Sequence, residues 1–576
     1  MGILTRSRLL LLALVIAVCG CATPPAGRSG GVAGQPGGQP AAPKRVVVTI
    51  MDDPPSLSDK LSPPSIRGVD ALEELVHVGL VTLNNDGFLT PRLAEDVPTL
   101  ENGLWKVLPD GRMETTWRIR EGVTWHDGTP FTAADIEFTA RVARDRELPD
   151  FRDTALDLVE RVDVPDPRTV ILIWSRGYVD ADTMFTRAGG PRARTMPLPK
   201  HLLNRAFEED KASFAQLPYW SEEFVGTGPF KLKEWTRGSH LVLTANDRYL
   251  PWRPRVDEVE VRFIPDPNTL VANVLAGEVS VTMGRGLALE QALAMREQWA
   301  NGRMEANPTN WIIIWPQFIN PNPRVLSNVQ FRRAMLHAVD RQSFVDGFMS
   351  GLSTVAHTYL SPSEPDFYEI TRDAPHYDYD PARAGRMIEE LGFSKGPDGM
   401  FRDASGQPLA VEIRTTAGDT LRERMQLSIA DSWQRIGVAA NPVPVPRQLA
   451  VDQEYRATFP AFELSRNPNG LRDLPSLQGK AARTAENNYR GTGGTNYSRY
   501  QNPEFDGLID RYFVTIDKPE RVGIARQVVT HIADQVTALG TIYSTDQNMI
   551  ANRMINLAGR ARDATETWNA HEWDVK

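Results

Sequence analysis

Few residues of this sequence have the type and spacing that catalysis requires. His126 and Asp127 are adjacent and could form an acid–base pair, but they lie in a His-Asp-Gly-Thr-Pro turn, where neighbouring side chains point apart. The segment Gly226-Thr227-Gly228 could approach a phosphate, but no helix-forming segment follows it to supply N-terminal amides. Both motifs are therefore interpreted as turns.

Other catalytic and metal-binding patterns are missing from the sequence. The 9 histidines are dispersed, and none has the spacing of metal ligands on a helix, so we predict no metal site. The sequence contains no Gly-x-Ser-x-Gly and no His-Glu-x-x-His element. We therefore predict that the protein is not an enzyme and uses no cofactor. An exported hydrolase remains the rival hypothesis, because folding can pair carboxylates that are distant in sequence.

The N-terminus predicts export and lipidation. Arg6 and Arg8 precede an apolar run over residues 9–18, which suits a signal peptide and is too short to span a bilayer. The following Val18-Cys19-Gly20-Cys21 resembles the lipobox of bacterial lipoproteins, which implies cleavage after residue 20 and acylation of Cys21. The alternative is an ordinary secretory signal with two incidental cysteines. Residues 21–43 are rich in Gly, Pro and Ala and predict a flexible lipidated tether.

Composition and charge exclude one class of partner. The chain has 64 Lys and Arg residues against 73 Asp and Glu residues, a formal net charge of −9, and no basic run. This balance argues against a nucleic-acid partner. The length beyond the tether predicts two or three lobes, because a single hydrophobic core rarely grows to that size.

Local patterns predict several elements. Alternating apolar and polar residues over 113–120 predict a half-buried strand, and residues 123–125 predict a second short strand. Thr132 and Asp135 have the spacing of a capping box at the start of a helix. Apolar residues near helical spacing over 329–351 predict one long amphipathic helix.

Five segments in the same order resemble the family 5 extracellular solute-binding proteins, which serve peptide, nickel and related ABC importers. The most specific is WRIREGVTWHDGTPFTAAD at residues 117–135. The others are GTGPFKLKEW at 226–235 with NDRY at 246–249, FRRAMLHAVDR at 331–341, YDPARA at 379–384, and YSRYQNPEFDGLI at 497–509.

The resemblance implies an α/β fold of the periplasmic-binding-protein type, with two large mixed-sheet lobes joined by a hinge and a smaller inserted lobe. Lobe I would comprise residues 44–80, 196–306 and 516–576. Lobe II, the inserted one, would comprise residues 81–195, and lobe III residues 307–515. Two hinge strands would let the large lobes close on a ligand in the cleft between them.

The resemblance also implies a function. The protein would capture a peptide or peptide-like solute and deliver it to an ABC permease complex, as a monomer that its lipid anchor holds on the periplasmic or outer face of a membrane. Two alternatives remain open: a binder of a non-peptide anionic solute or a sugar, and a ligand receptor without a transport role.

The ligand contacts are the least specified part of the sequence. Peptide binders of the family carry a Gly-Trp-x-x-Asp-like element whose aspartate pairs with the α-ammonium group of the peptide. The corresponding residues 462–473 lack the tryptophan, and Asp473 lies later than that pattern requires. Either Asp473 performs this pairing, or Arg466 or Arg472 faces an anionic group instead. A solvated loop without a ligand role is the third alternative.

Three further residues are candidates for ligand contact. Asn469 lies in the same loop. Trp315 follows an isoleucine run near an expected hinge and could form an apolar wall of the cleft, or could simply pack in the core. Tyr497 follows a glycine-rich segment that could order when the lobes close.

Overall fold

A computed structural model describes residues 43–576, except for residues 64–65, 188–194, 251, 285–286, 447 and 491–495. Pro43–Lys576 forms a single compact unit. The predicted signal peptide and Cys21 lie outside the described residues, as does the predicted tether except for its last residue.

The described residues form twenty β-strands: β1 (Arg45–Ile50), β2 (Val81–Leu83), β3 (Leu89–Pro91), β4 (Trp105–Val107), β5 (Met113–Arg118), β6 (Val159–Asp166), β7 (Thr169–Trp174), β8 (Phe230–Thr236), β9 (His240–Ala245), β10 (Glu258–Phe263), β11 (Val281–Thr282), β12 (Gly302–Pro316), β13 (Ser394–Lys395), β14 (Phe401–Arg402), β15 (Ala410–Thr416), β16 (Ala439–Val445), β17 (Phe462–Asn467), β18 (Leu539–Ala551), β19 (Met554–Ile555) and β20 (Asp574–Val575).

Thirteen α-helices lie in the same described part of the chain: α1 (Val69–Val76), α2 (Ala133–Arg144), α3 (Lys200–Glu209), α4 (Pro267–Leu275), α5 (Leu289–Gln298), α6 (Val329–His337), α7 (Arg341–Met349), α8 (Phe367–Thr371), α9 (Pro381–Glu390), α10 (Thr420–Ile436), α11 (Gln453–Ala457), α12 (Pro503–Val514) and α13 (Lys518–Gln535). Of the shorter 3-10 turns, Ala181–Thr183 and Leu471–Leu477 matter for the candidate site.

Ten strands form one mixed sheet in the order β16-β15-β17-β12-β18-β11-β1-β10-β9-β8. One end of it pairs β15 in parallel with β16 and β17, and the other pairs β1 in parallel with β10 and β11. The long strands β12 and β18 lie between these ends and pair antiparallel, from Gly302 opposite Ala551 to Ile314 opposite Leu539. They are therefore the shared element of the two halves of the sheet.

Separate hydrophobic clusters pack on the two halves. One cluster contains β1, β9 and β10 residues such as Val46 and Val259, together with Trp573 near the C-terminus. A second contains Ile413 of β15 and Trp433 of α10. Because each half has its own core, either can keep its packing while the strands between them bend.

A smaller four-stranded sheet, β4-β5-β7-β6, has a core of its own. Trp117 and Trp174 lie in that core and are fully buried. Helix α2 packs against β6 and β7 of this sheet. The assignment of residues 81–195 to an inserted lobe stays a prediction.

The capping box at α2 is confirmed. The backbone N–H of Thr132 donates to Asp135 Oδ2 at 2.8 Å, and the Thr132 hydroxyl donates to the same oxygen at 3.3 Å. The predicted strand over 113–120 is confirmed as β5. Residues 123–125 do not form a strand, because Thr124 makes only an isolated bridge to Pro130 within a tight turn.

The single helix predicted over residues 329–351 is wrong. The chain forms α6 and α7 instead, with a break between His337 and Arg341. Asp340 causes the second start, because its Oδ1 accepts the backbone N–H of Ser343 at 3.1 Å as an N-cap.

The mixed α/β class is confirmed by the ten-stranded sheet and its flanking helices. None of the helices in the described ranges combines the length and apolar character that a membrane crossing demands.

Candidate functional site

A charged cavity of about 190 Å³ lies where three parts of the chain meet. Segments of the predicted lobe II, of the predicted lobe III and of the C-terminal region each contribute to its wall. The charged lining residues are Asp180, Asp182, Glu364, Asp366, Arg472, Arg521, Arg562 and Asp563. Tyr512, Leu471 and Val522 are among the less polar ones.

Arg472 connects two walls of this cavity. It stands in the 3-10 turn Leu471–Leu477, and its Nε donates to Asp180 Oδ1 at 2.9 Å. Asp180 precedes the 3-10 turn Ala181–Thr183, so the pair joins predicted lobe III to predicted lobe II. The two side chains are 23% and 12% exposed, which makes this pair less screened by solvent than a surface ion pair.

Asp473 is engaged within the protein. Its Oδ2 accepts from Arg562 Nη1 and Nη2, both at 2.8 Å, and from the backbone N–H of Gly470 at 2.9 Å. The Asp473 and Arg562 side chains are 7% and 8% exposed. Three donors therefore converge on one buried carboxylate oxygen.

Asn469 lies just before this arrangement and is fully buried. Its backbone carbonyl accepts from Ser361 N–H at 3.1 Å, but its side-chain Oδ1 and Nδ2 have no hydrogen-bond partner. Leaving a buried amide unsatisfied costs about 1–3 kcal/mol. Asn469 thus carries one donor group and one acceptor without a hydrogen-bond partner inside the protein, next to this arrangement.

Tyr359 supports the same loop. Its hydroxyl donates to the carbonyl of Gly470 at 3.0 Å, and its ring packs edge-on against Trp311 with centroids 5.3 Å apart. Trp311 belongs to β12, where it lies opposite Asn467 of β17. The loop after β17 is therefore fixed to the long central strands.

Two carboxyl groups of the cavity titrate close to neutral pH. Burial raises the pKa of Asp182 to about 7, against the smaller lowering effect of Arg472. Burial also raises the pKa of Glu364 to about 6, although Arg562 lowers it. Both groups line the cavity, so its proton content changes between about pH 5 and about pH 8.

The residues proposed from sequence do not all meet here. Arg472 lines the cavity, whereas Asp473 and Asn469 do not, and Asp473 is connected to it only through the lining residue Arg562. Trp315 is 2% exposed, and its Nε1 donates to Asn467 Oδ1 at 3.2 Å within the core.

Arg466 and Tyr497 are not among the residues that line this cavity. Arg466 Nη2 lies 3.9 Å from Asp419 Oδ2. Arg456 and Arg483 lie against the ring of Tyr497, at 4.8 and 4.4 Å from its centroid. Contact of Arg466 and Tyr497 with a ligand stays a prediction.

Sequence reasoning missed most of the charged wall. Asp180, Asp182 and Glu364 come from segments without a distinctive pattern. Only the Arg560-Ala-Arg562-Asp563 segment could have indicated part of the site. Two arginines separated by one residue, next to apolar residues, need carboxylate partners if they are buried. Both arginine side chains are largely buried, at 12% and 8% exposed, and both are ion-paired.

The two catalytic-looking features of the sequence are structural. His126 Nδ1 accepts the backbone N–H of Gly226 at 3.2 Å, whereas Asp127 pairs with His201 at 2.8 Å, so His126 and Asp127 do not act together. Within the described ranges, no three His, Cys, Asp or Glu side chains are grouped as metal ligands.

A second cavity, of about 30 Å³, is lined by residues that include Glu73, His77 and Arg187. It has room for about two water molecules and is therefore too small for a solute.

Comparison with known proteins gives a consistent result. Residues 89–487 match the profile of the bacterial extracellular solute-binding proteins, family 5 middle region. The oligopeptide-binding protein AppA of Bacillus subtilis is 26% identical over 408 residues, which cover 69% of this chain and 70% of AppA.

Solved structures share the fold. The oligopeptide-binding protein of Thermus thermophilus, complexed with a pentapeptide, superimposes with a TM-score of 0.66 at 24% identity, covering 92% of this chain and 96% of that one. NikZ of Campylobacter jejuni, in complex with Ni(L-His), superimposes with a TM-score of 0.68 at 19% identity, covering 93% and 100% of the two chains.

The raised pKa of Asp182 predicts a pH effect on stability. Between its ordinary value and about 7 the folded protein holds a proton that the unfolded chain has released, so the free energy of unfolding falls as the pH rises through this window. We expect Asp182→Asn to reduce the loss of melting temperature between about pH 5 and about pH 7.5.

The matched control is Asp366→Asn, on the same cavity, whose carboxylate lies 3.1 Å from Lys518 Nζ. This control should retain the pH dependence of the wild type. An unchanged pH dependence in Asp182→Asn would contradict the assignment.

Proposed function

This chain belongs to the bacterial extracellular solute-binding proteins of family 5, and we propose that it captures a peptide or peptide-like solute and delivers it to the permease of an ABC importer. The protein then acts as a binder whose loaded and empty forms differ in shape. Such a difference lets a membrane complex distinguish the two forms.

The cavity lined by three parts of the chain carries this proposal. Arg472 and Asp180 form an ion pair in its wall that joins two of these parts, and β12 with β18 supplies the shared strands about which the halves of the sheet can move. At about 190 Å³ the cavity is smaller than the roughly 300–1,000 Å³ of a typical small-molecule site. A peptide would therefore enter with the lobes further apart and be enclosed as they close.

Two observations support a peptide-like ligand. The relative from Bacillus subtilis is an oligopeptide-binding protein, and the Thermus thermophilus structure contains a pentapeptide. In this chain, the unsatisfied side-chain amide of Asn469 offers one acceptor and one donor group. A peptide group presents the complementary N–H and C=O, so peptide backbone could satisfy both.

The proposed function also implies where the protein is located. Acylation of Cys21 would hold the protein at the outer face of a membrane, and residues 22–43 would give the binding unit reach toward a permease. The solute-binding role requires no catalytic residue.

Filling the cavity tests the proposed site. Ser363 is half-buried in its wall, and we expect Ser363→Trp to occupy the space that a solute needs. For the wild-type full chain in detergent, a peptide at about 100 times its Kd should add about 2.7 kcal/mol of stability. That is a melting shift on the order of 2 °C for a chain of this length.

The measurement is a melting curve with and without a pool of tripeptides to pentapeptides, and separately with the nickel–histidine complex. Ser363→Trp should lose the shift, and Ser405→Trp, on an exposed loop, should keep it. A wild-type shift that survives in Ser363→Trp would place the solute elsewhere. A shift with the nickel complex alone would replace the peptide proposal.

Lipidation of Cys21 can be tested by substituting this residue. Cys21→Ser should abolish incorporation of radiolabelled palmitate and move the protein from the membrane fraction to the soluble fraction of the producing cells. Cys19→Ser, two residues earlier, is the matched control and should leave both readouts unchanged. Labelling that persists in Cys21→Ser would contradict lipidation at this residue.

A further inference from the structure

The C-terminal segment after β18 places Arg562 at Asp473 and fixes it there. Two residues before Arg562, the guanidinium of Arg560 lies 3.6 Å from Asp546 and 3.3 Å from Glu566. Beyond Arg562, the hydroxyl of Thr567 donates to the carbonyl of Ala71 at 2.8 Å. Arg562 is therefore held from both sides by contacts with other elements.

One oxygen of the Asp473 carboxylate is fully engaged, and the guanidinium of Arg562 already balances the charge of this group. Its Oδ2 already accepts two guanidinium N–H groups and the backbone N–H of Gly470. A ligand ammonium group would have to replace charge-assisted bonds that are already made in a buried place. Displacing Arg562 would also leave a buried guanidinium with fewer partners, which is unfavourable.

Loss of a proton from Arg562 does not break its pairing with Asp473. Burial lowers its pKa, but the carboxylates of Asp563, Asp473 and Glu364 together raise it above the ordinary value. The Arg562 side chain therefore stays a cation.

Gly470 lies directly beside the ion pair of Arg562 and Asp473. A Cβ at this position would lie 2.5 Å from Arg562 Nη2 and 2.7 Å from Glu364 Oε1. The backbone of Gly470, with φ −99° and ψ 169°, is extended and open to any residue. A side chain at this position would therefore push the guanidinium and the Glu364 carboxyl group aside, although the backbone itself would allow it.

We propose that Arg562 is a resident counter-ion that takes the place of a ligand cation at Asp473, so that the site accepts solutes without reading a free α-ammonium group. This inference rests on the proposed solute-binding function. It names Arg562 as a specificity-determining residue. It also names the ligand class, in which peptides with an acylated N-terminus bind as well as peptides with a free one.

The test compares the affinity of the full chain in detergent for one peptide from the screening pool and for its N-acetylated form, by titration calorimetry. The wild type should bind the two forms within about threefold of each other. Arg562→Met frees the Asp473 carboxylate and should create a preference for the free amine of about tenfold or more.

Arg560→Met is the matched control, because it removes a second buried arginine of the same segment and leaves Asp473 paired. It should lower the melting temperature without creating a preference for the free amine. The wild-type comparison alone keeps the proposal falsifiable if Arg562→Met fails to fold.

A wild-type preference for the free amine of about tenfold or more, lost in Asp473→Asn, would overturn the inference, because Asp473 would then be the ammonium partner. Binding of neither peptide form by the folded wild type is a different outcome. It would overturn the proposed function, and the inference would fall with it.

Discussion

The pairing of β12 with β18 is the constraint on which the rest of the structure depends. The two strands run antiparallel over most of their length, and each also pairs with one further strand, β17 on one side and β11 on the other. All residues of β18 are buried. Motion of one half of the sheet against the other must therefore be absorbed within this pair.

The middle of this pair is polar, which is unusual for strands buried on both faces. Asn307 Nδ2 donates to Asn548 Oδ1 at 3.0 Å, and Asn548 Nδ2 donates to the carbonyl of Thr282 at 2.8 Å. The register also shifts between Pro308 and Asn310. A bulge and a hydrogen-bonded stretch, in place of tightly packed aliphatic side chains, suit a region that bends.

The C-terminal segment links this central pair to the candidate site. Arg560 contacts Asp546 of β18, and two residues later Arg562 contacts Asp473 in the loop after β17. Thr565 donates to Glu74 of α1, which belongs to the other half. One short segment thus connects the central strand pair, the loop at the cavity and the first helix.

Local elements were predictable because their causes are local in sequence. Strand β5 follows from alternation, and α2 follows from the spacing of Thr132 and Asp135. The break before Arg341 was missed because the apolar pattern continues across it, although Asp340 was a visible N-cap residue.

The site could be predicted only in part. The loop that carries Asn469, Arg472 and Asp473 was identified from a family pattern, but their partners were not. Arg472 pairs with a residue 292 positions away, and Arg562 with one 89 positions away. Charge and residue type do not specify such pairs, because any of the many carboxylates could serve until the fold decides.

A crystal structure of the full chain, purified from its own envelope with its solute bound, would show whether the charged cavity is the binding site. We expect solute density in the cavity that Asp182, Glu364 and Arg472 line, with Arg562 still hydrogen-bonded to Asp473. A solute bound away from that cavity, or a solute cation on Asp473 with Arg562 displaced, would contradict this assignment.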